Sequence, residues 1–167
     1  MSLIPPSLVE QAEALLAACR ARRLRLAAAE SCTGGLIAGT LTAVAGSSDV
    51  VERGFVTYTD QSKTDMLGVP ADLIAAHGAV SEPVARAMAS GALNRSPADL
   101  AVAVTGIAGP GGGTPDKPVG LVHLAAARRG GAVLHERRVF AGDRAAVREQ
   151  TVEAALRLIG QLMRDLP

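Results

Sequence analysis

A short polar segment at residues 29–35 (AESCTGG) constrains the fold more than any other feature of the chain. The apolar run before it, residues 24–28, has the length of a buried strand, and residues 36–44 have the spacing of an amphipathic helix. A strand that passes through a glycine-containing turn into a helix is the building unit of α/β folds. Because ligands bind beyond the carboxyl ends of the strands in such folds, we expect the functional site at this turn.

Apolar periodicity and turn residues define the other elements. They predict helices over residues 7–22, 36–44, about 60–68, 70–77, 81–94 and from 143 onward. They predict strands over residues 24–28, 50–58, 99–104, 120–127 and 132–140, the last two as a hairpin around residues 128–131. Ser7, Ser81 and Asp143 are predicted to cap the helices that follow them.

The order of these elements indicates the architecture. Helices alternate with strands in the first part of the chain and a hairpin comes late, which predicts a mixed sheet of about five strands. The predicted class is a three-layer α/β/α fold with helices on both faces of the sheet. Residues 1–167 form a single domain, since no linker or internal repeat interrupts them.

Composition excludes several classes of function. Seventeen Lys and Arg residues balance 16 Asp and Glu residues, and only 2% of residues are aromatic, so we expect no nucleic-acid partner. No apolar run approaches the about 20 residues that span a membrane, and no secretory signal opens the chain, so we expect no membrane partner and a cytoplasmic location. No ligand-spaced cluster predicts a metal. An Ala/Val-rich chain of this kind can bury a helix or hairpin face in a homo-oligomer.

Two candidate nucleophiles stand side by side in the first turn. Ser31 needs a base, whereas the Cys32 thiol at a helix start would have a lowered pKa. Both side chains can hardly aim at one carbonyl, and we favour Ser31. The N–H groups of Thr33, Gly34 and Gly35 are candidates for an oxyanion hole or a phosphate cradle. The same residues are typical of a tight turn that requires glycine, and the two interpretations are compatible.

A base for Ser31 is expected from the second strand if that strand lies parallel to the first. Tyr58 ends the predicted second strand and Lys63 follows it. A lysine acts as a base only when its pKa is lowered, and the alternative is a surface lysine. Tyr58 relays a proton, orients the lysine or packs at the rim of the site. The histidines are expected to be structural or exposed, and a Ser-His-Asp triad stays open because only the fold joins its members.

A second glycine-rich turn, residues 105–114, follows the predicted strand at residues 99–104. Two such turns at strand ends predict a shared site at one edge of the sheet. Arg144 and Arg148 lie one turn apart at the start of the last helix, where they either bind a phosphate or carboxylate or form a solvated first turn.

Six segments, taken together and in order, resemble the CinA C-terminal domain family, the nicotinamide mononucleotide (NMN) deamidases. They are AESCTGG at residues 29–35, Tyr58 with Lys63, GAVS at 78–81, TGIAGP at 105–110, KPVG at 117–120 and GDR at 142–144. The resemblance covers almost the whole chain and implies a stand-alone amidohydrolase that needs no cofactor. It implies hydrolysis of the NMN carboxamide to nicotinic acid mononucleotide and ammonia, in pyridine nucleotide recycling.

The resemblance also implies roles for individual residues. Ser31 matches the nucleophile and Lys63 the general base of a Ser/Lys dyad, while supporting or substrate-binding roles fall to Tyr58, Thr105, Gly106 and Arg144. Asp60 departs from the family pattern, which has Asn there, and a carboxylate near the lysine would raise the lysine pKa. Two alternatives stay open: an amidase acting on another substrate, and a non-catalytic nucleotide-binding or scaffold domain of a competence- or damage-inducible protein.

Overall fold

The computed structural model describes residues 2–166, which form one sheet with helices on both of its faces. The strands are β1 (Leu26–Glu30), β2 (Val51–Val56), β3 (Leu100–Gly106), β4 (Leu121–Arg128) and β5 (Val133–Val139). The α-helices are α1 (Pro6–Ala21), α2 (Leu36–Thr42), α3 (Asp60–Leu67), α4 (Ala71–His77), α5 (Glu82–Asn94) and α6 (Arg144–Arg164). None of the described helices has the length and apolar character needed to cross a bilayer.

The strand order is β2-β1-β3-β4-β5, which confirms the predicted mixed sheet of five strands. Strand β1 pairs in parallel with β2 on one side and with β3 on the other, while β3, β4 and β5 pair antiparallel. The last residue of β1, Glu30, lies opposite Val56 of β2 and Val104 of β3. The carboxyl ends of the three parallel strands therefore meet at one edge of the sheet.

The two faces of the sheet bury two separate apolar cores. Leu26, Ala28, Val102 and Val104 face a core shared with α1, α2 and α6. The alternate strand residues, which are mostly alanines, face a second core shared with α3, α4 and α5; they include Ala27, Ala29, Ala101, Ala103, Ala125 and Ala127. Small side chains on this second face let the helices approach the strands closely. The three-layer α/β/α prediction is confirmed.

Strand β1 begins and ends two residues later than predicted, because the buried segment extends through Glu30. A carboxylate was not expected inside a strand with only 1% of its surface exposed. Burial is possible here because three hydrogen bonds satisfy the carboxylate oxygens. Strand β2 ends at Val56, so Tyr58 lies in the loop that follows the strand and not at its end.

Of the three predicted caps, Ser7 is wrong, Ser81 is right in position but makes no capping hydrogen bond, and Asp143 is confirmed. Helix α1 begins at Pro6 with Pro5 at its N-cap, so Ser7 lies inside the first turn and does not cap the helix. Ser81 occupies the N-cap of α5, but its hydroxyl donates to the Gly78 carbonyl at 2.8 Å and not to the helix. The carboxylate of Asp143 accepts from the N–H of Ala146 at 2.9 Å and caps α6 as predicted.

Helix α5 packs closely against the end of α3 at Gly91. A Cβ atom at Gly91 would overlap the carbonyl oxygen of Leu67 and lie 2.9 Å from its carbonyl carbon. Both atoms belong to the backbone of α3, so a side chain at this position has no room without separating the two helices. Since Lys63 belongs to α3, this contact also helps to fix the position of Lys63 relative to the sheet.

We expect Gly91→Ala to lower the free energy of unfolding by about 1–3 kcal/mol, because the overlap outweighs the higher helix propensity of alanine. The control is Gly39→Ala in α2, where no atom lies within 4 Å of the added Cβ and where alanine adds up to about 1 kcal/mol of stability. Urea unfolding of both variants measures the difference. Equal stability of the two variants would contradict the close packing of α5 on α3.

Candidate active site

The centre of the candidate site is a contact between Ser31 and Lys63. Ser31 directly follows β1, and Lys63 lies near the start of α3. The Nζ atom of Lys63 lies 2.9 Å from Ser31 Oγ and donates to the Thr57 carbonyl oxygen at 2.7 Å. Only 1% of the Lys63 surface is exposed. The parallel pairing of β1 with β2 brings these residues together.

Lys63 is held in position by the first turn of α3. Thr59 caps this helix: its hydroxyl accepts from the Ser62 N–H, and the Ser62 hydroxyl accepts from the Thr59 N–H, each at 3.1 Å. This reciprocal arrangement satisfies two backbone donors that the helix leaves free. It fixes the direction in which α3 leaves the loop, and therefore the direction of the Lys63 side chain.

Burial lowers the pKa of Lys63 below its ordinary value of 10.5, because the charged ammonium loses its hydration. The negative charge of Asp60 acts in the opposite direction, as a thiolate at Cys32 would. The effect of Asp60 has the sign that the sequence predicts, but Asp60 is exposed and burial outweighs it. When the amine is neutral, one N–H can donate to the Thr57 carbonyl while the lone pair accepts the Ser31 hydroxyl proton.

Cys32 is a buried neighbour of the pair. Its exposed fraction is 5%, and burial raises the pKa of its thiol to about 11. The thiol is therefore protonated at neutral pH and is a poor nucleophile. Its Sγ packs against Gly106, where an added Cβ would lie 3.2 Å from the sulfur. This geometry favours Ser31 over Cys32. Both cysteines of the chain are free, so the structure contains no disulfide between Cys19 and Cys32.

Glu30 is a buried carboxylate whose role the sequence analysis missed. Its Oε1 accepts from the Thr33 hydroxyl at 2.6 Å and from the Ile37 N–H at 2.8 Å, and its Oε2 accepts from the Ala38 N–H at 3.0 Å. The carboxylate therefore fills the amino-terminal end of α2, where backbone N–H groups favour an anion. An acidic residue at the end of a strand, a few residues before a helix, was the signal available in the sequence.

Thr33, Gly34 and Gly35 shape the turn and do not line the cavity beside Ser31. Thr33 is fully buried with its hydroxyl on Glu30, and the Gly34 N–H donates to the Ser31 carbonyl at 3.1 Å. The φ angles of Gly34 and Gly35 are 58° and 106°, in the region that favours glycine. The alternative of a tight turn that requires glycine is therefore what the backbone adopts, and substrate binding by these three residues stays a prediction.

A cavity of about 270 Å³ opens beside Ser31. Its walls come from both glycine-rich turns, as expected for a shared site, and are formed by Ser31, Cys32, Tyr58, Gly106, Ile107, Ala108, Gly109, Gly111, Gly112 and Arg144. Thr105 lies behind this wall, where 1% of its surface is exposed and its hydroxyl donates to the Ala79 carbonyl at 2.9 Å. Thr105 thus fastens the segment before α5 to the sheet.

Arg144 bridges the mouth of the cavity. Its Nη2 donates to the Tyr58 hydroxyl at 2.8 Å, and its Nη1 donates to the Gly109 carbonyl at 2.9 Å. Arg144 also lines a neighbouring cavity of about 500 Å³, so its guanidinium separates the two spaces. Arg148 has a different role: it donates to the Cys32 and Thr33 carbonyls, both at 3.2 Å, and ties α6 to the turn after β1.

The histidines lie away from Ser31. His123 Nδ1 and His135 Nε2 are 2.9 Å apart, and His135 Nδ1 lies 3.1 Å from Glu82 Oε1. Burial lowers the pKa of His123 to about 4, so this imidazole is neutral near pH 7. All three histidines belong to the described part of the chain, and none lines the cavity beside Ser31. The basic group at Ser31 is Lys63, and no Ser-His-Asp triad forms there.

A larger groove of about 460 Å³ runs between α1 and α6. Its walls are mainly apolar, with arginines at the rim, and it contains neither of the candidate nucleophiles. Among the residues that the structure describes, no three His, Cys, Asp or Glu side chains are grouped so that they could hold a metal ion.

Comparison with known proteins identifies relatives of the whole domain. The CinA C-terminal domain family matches residues 9–163. A CinA-like protein from Akkermansia muciniphila is 59% identical over 133 residues, which is 80% of this chain and 32% of that protein. A CinA-like protein from Anaeromyxobacter sp. (strain K) is 52% identical over 93% of this chain and 38% of that protein. The chain thus spans about a third of the length of these curated relatives.

Solved structures share the fold. The crystal structure of a competence/damage inducible protein from Agrobacterium tumefaciens has a TM-score of 0.94 and 53% identity, covering 97% of this chain and 99% of that chain. A competence-damaged protein superfamily member from Escherichia coli has a TM-score of 0.89 and 37% identity, covering 96% of this chain and 94% of that chain.

We expect Glu30→Ala to lower the free energy of unfolding by about 2–4 kcal/mol, because the buried donors of Thr33, Ile37 and Ala38 lose their acceptor. The matched control is Thr40→Val in the same helix. It removes only the hydrogen bond to the Leu36 carbonyl, at 2.7 Å, and changes stability by about 1 kcal/mol or less. Urea unfolding compares the two, and equal losses would show that the carboxylate has no special part in holding α2.

The lowered pKa of Lys63 predicts a pH-dependent stability. Between the folded pKa of Lys63 and 10.5 the unfolded chain binds more protons, so the free energy of unfolding rises with pH in that window. Lys63→Met abolishes this titration. The difference in unfolding free energy, wild type minus Lys63→Met, should rise by about 1.4 kcal/mol for each unit by which the pKa is lowered. Urea unfolding from neutral pH to pH 10.5 measures it, and parallel profiles would contradict a lowered pKa.

Proposed function

Because the chain belongs to the CinA C-terminal domain family, we propose that it is an amidohydrolase that converts the carboxamide of NMN to a carboxylate and ammonia. The observation that carries the proposal is the buried contact of 2.9 Å between Lys63 Nζ and Ser31 Oγ. A lysine that has lost its hydration can be neutral near physiological pH and can accept the serine proton. Burial of a lysine is unfavourable for stability, and a catalytic use explains why it occurs at this edge of the sheet.

The reaction begins with proton transfer from Ser31 Oγ to the neutral amine of Lys63. Oγ forms a bond to the amide carbon, and the electron pair of the carbonyl moves onto oxygen to give a tetrahedral oxyanion. When the carbonyl re-forms, the bond to nitrogen breaks, and the Lys63 ammonium supplies the proton that lets ammonia leave. An acyl-enzyme on Ser31 remains.

Water completes the turnover by the same route in reverse. Lys63, neutral again, takes a proton from the water that attacks the acyl carbon, and returns a proton to Ser31 Oγ as the ester bond breaks. The product is a carboxylate, nicotinic acid mononucleotide. The positive charge of the NMN pyridinium ring assists this cycle, because a nearby positive charge helps to keep the lysine neutral.

The space beside Ser31 suits a small planar group. A volume of about 270 Å³ is close to the lower end of the range for small-molecule sites, about 300 Å³. Arg144 is exposed and lies between this cavity and the larger one next to it. We assign the carboxamide-bearing ring to the cavity beside Ser31, and contact with the rest of the nucleotide to Arg144 and Tyr58.

A second candidate within the same chemistry is hydrolysis of a different amide or ester. Glycines and other small residues form much of the cavity wall, so few side chains discriminate between substrates. An ammonia assay across nicotinamide, NMN and unrelated primary amides separates the two: release from NMN alone supports the proposal, and faster release from another amide favours this alternative.

Relatives named competence-damage inducible also keep a non-catalytic scaffold role open, which binding of NMN without turnover would favour.

We expect Ser31→Ala and Lys63→Met to reduce ammonia release from NMN by about 1,000-fold or more, since each removes half of the dyad. Lys117→Met is the matched control: Lys117 is the other lysine of the chain, it contacts the His77 carbonyl, and its loss should leave turnover nearly unchanged. Cys32→Ala should keep most of the activity, because the protonated thiol takes no part in the reaction.

The pH profile adds an independent readout of the same variants. Since the neutral amine is the base, kcat/KM of the wild type should rise with pH until the Lys63 amine is deprotonated. Full activity in Ser31→Ala or Lys63→Met would exclude the dyad. Loss of activity in Cys32→Ala equal to that in Ser31→Ala would move the nucleophile to the thiol.

A further inference from the structure

The oxyanion of the proposed reaction needs a hydrogen-bond donor, and the hydrogen bonds of the structure reduce the number of candidate donors. The N–H groups at the start of α2 are the obvious candidates, but those of Ile37 and Ala38 donate to the carboxylate of Glu30. The Leu36 N–H donates to the Thr33 carbonyl, and the Gly34 N–H donates to the Ser31 carbonyl, both at 3.1 Å. These four donors are therefore committed to the protein itself. Among the described residues, the N–H groups of Cys32, Thr33 and Gly35 form no hydrogen bond. Thr33 and Gly35 do not line the cavity beside Ser31, whereas Cys32 does, so the Cys32 N–H is the competing donor.

The hydrogen-bond ladder between β1 and β3 leaves a different donor at the cavity. Every second residue of β3 directs its backbone groups toward β1, as shown by the Leu100 N–H, which donates to the Arg25 carbonyl at 3.0 Å, and by the Val104 carbonyl, which accepts from the Ser31 N–H at 3.1 Å. Intervening residues point to β4, as in the contact between Ile107 N–H and the Leu121 carbonyl at 2.8 Å. By this alternation the N–H of Gly106 points toward β1.

Gly106 would complete the next step of the ladder by donating to the Ser31 carbonyl. Within residues 2–166 no such hydrogen bond forms, because the chain turns away after Ser31 and its carbonyl accepts from Gly34 instead. The Gly106 N–H therefore lies beyond the last hydrogen bond between β1 and β3, at the edge of the sheet where Ser31 lies. Ser31, Cys32 and Gly106 are neighbours in the wall of the same cavity.

The surroundings of Gly106 hold its backbone in this place. A Cβ atom at this position would lie 2.7 Å from Val122 Cγ2, 2.9 Å from the Leu121 carbonyl oxygen and 3.2 Å from Cys32 Sγ. Only hydrogen fits there, and the backbone of β3 is in tight contact with both β4 and the turn that carries the nucleophile. A donor held this rigidly does not have to reorganise when charge develops in front of it.

We propose that the backbone N–H of Gly106, at the open end of the β1–β3 ladder, donates the hydrogen bond that holds the oxyanion formed by attack of Ser31. The inference rests on the proposed acyl transfer at Ser31 and adds the group that stabilises its intermediate. It leaves the amino-terminal end of α2 a structural role, in which the N–H groups bind the carboxylate of Glu30 and not the substrate. When Oγ bonds to the amide carbon, the carbonyl electron pair moves to oxygen in front of the Gly106 N–H, and it returns when ammonia leaves.

An amide NMR experiment tests the assignment without depending on the substrate. A small alkyl fluorophosphonate reacts with an activated serine: the Oγ–P bond forms, fluoride leaves, and the phosphoryl oxygen occupies the place of the oxyanion. In ¹⁵N-labelled protein we expect the Gly106 amide proton to shift downfield on modification of Ser31, by more than the amide protons of Cys32, Thr33 and Gly35. Intact mass and the unreactive Ser31→Ala variant confirm where the label is.

Each outcome of this experiment decides the inference. Modification of Ser31 with an unchanged Gly106 proton, or with a larger shift at Cys32, Thr33 or Gly35, overturns it. A wild-type Ser31 that does not react overturns it together with the nucleophile. A protein that is labelled at Ser31 and shifted at Gly106, yet releases no ammonia from NMN, keeps the inference and rejects NMN as the substrate.

Kinetics of a substituted protein provide a second measurement. Gly106→Ala must displace β3 from Val122 and Cys32, so we expect kcat to fall by about 10- to 100-fold with little change in KM, since the lost contact exists only in the transition state. Gly39→Ala, on the exposed side of α2, is the control and should leave both constants unchanged. An equal fall of kcat in the control, or an unchanged kcat in Gly106→Ala, contradicts the inference.

Discussion

The carboxylate and carbonyl of Glu30 connect the two halves of the candidate site. Its side chain holds the start of α2 through Thr33, Ile37 and Ala38, on one face of the sheet. Its carbonyl accepts from the Thr57 N–H at 2.8 Å, and the Thr57 carbonyl in turn accepts from Lys63 Nζ. A single residue at the end of β1 thus fixes both the turn that carries Ser31 and the loop that leads to the lysine.

Close packing of the rest of the molecule supports this arrangement. The alanine-rich face of the sheet and the contact of Gly91 with the α3 backbone leave little freedom for α3 to move relative to β1. Arg148 fastens the other side by binding the carbonyls of Cys32 and Thr33. A distance of 2.9 Å between two side chains on different elements is maintained because those elements interlock.

The sequence predicted the architecture and the neighbourhood of the site, but not its hydrogen bonds. Apolar periodicity predicts the bounds of β1, β2 and β3 to within about two residues of those observed. Parallel pairing of β1 with β2 then brings Ser31 near Lys63. The acidic residue before the helix was a signal for Glu30, but it does not show that the side chain turns into the core, since a carboxylate at a strand end is ordinarily solvated. The same limit applies to Thr33, Gly34 and Gly35, whose roles depend on which acceptor their donors reach. The Tyr58–Arg144 contact joins residues 86 positions apart, which only the fold can reveal.

The position of Glu30 also explains how a buried anion and a lysine of lowered pKa coexist so close together. A negative charge beside Lys63 would raise its pKa, as Asp60 does. Successive residues of a strand point to opposite faces, so the Glu30 carboxylate lies with α2 on one side while Ser31 meets Lys63 on the other. The carboxylate accepts three hydrogen bonds on its own side, from Thr33, Ile37 and Ala38. The sheet thereby separates the anion that builds the turn from the amine that the proposed reaction requires to be neutral, and it leaves the proposed oxyanion to the open edge at Gly106.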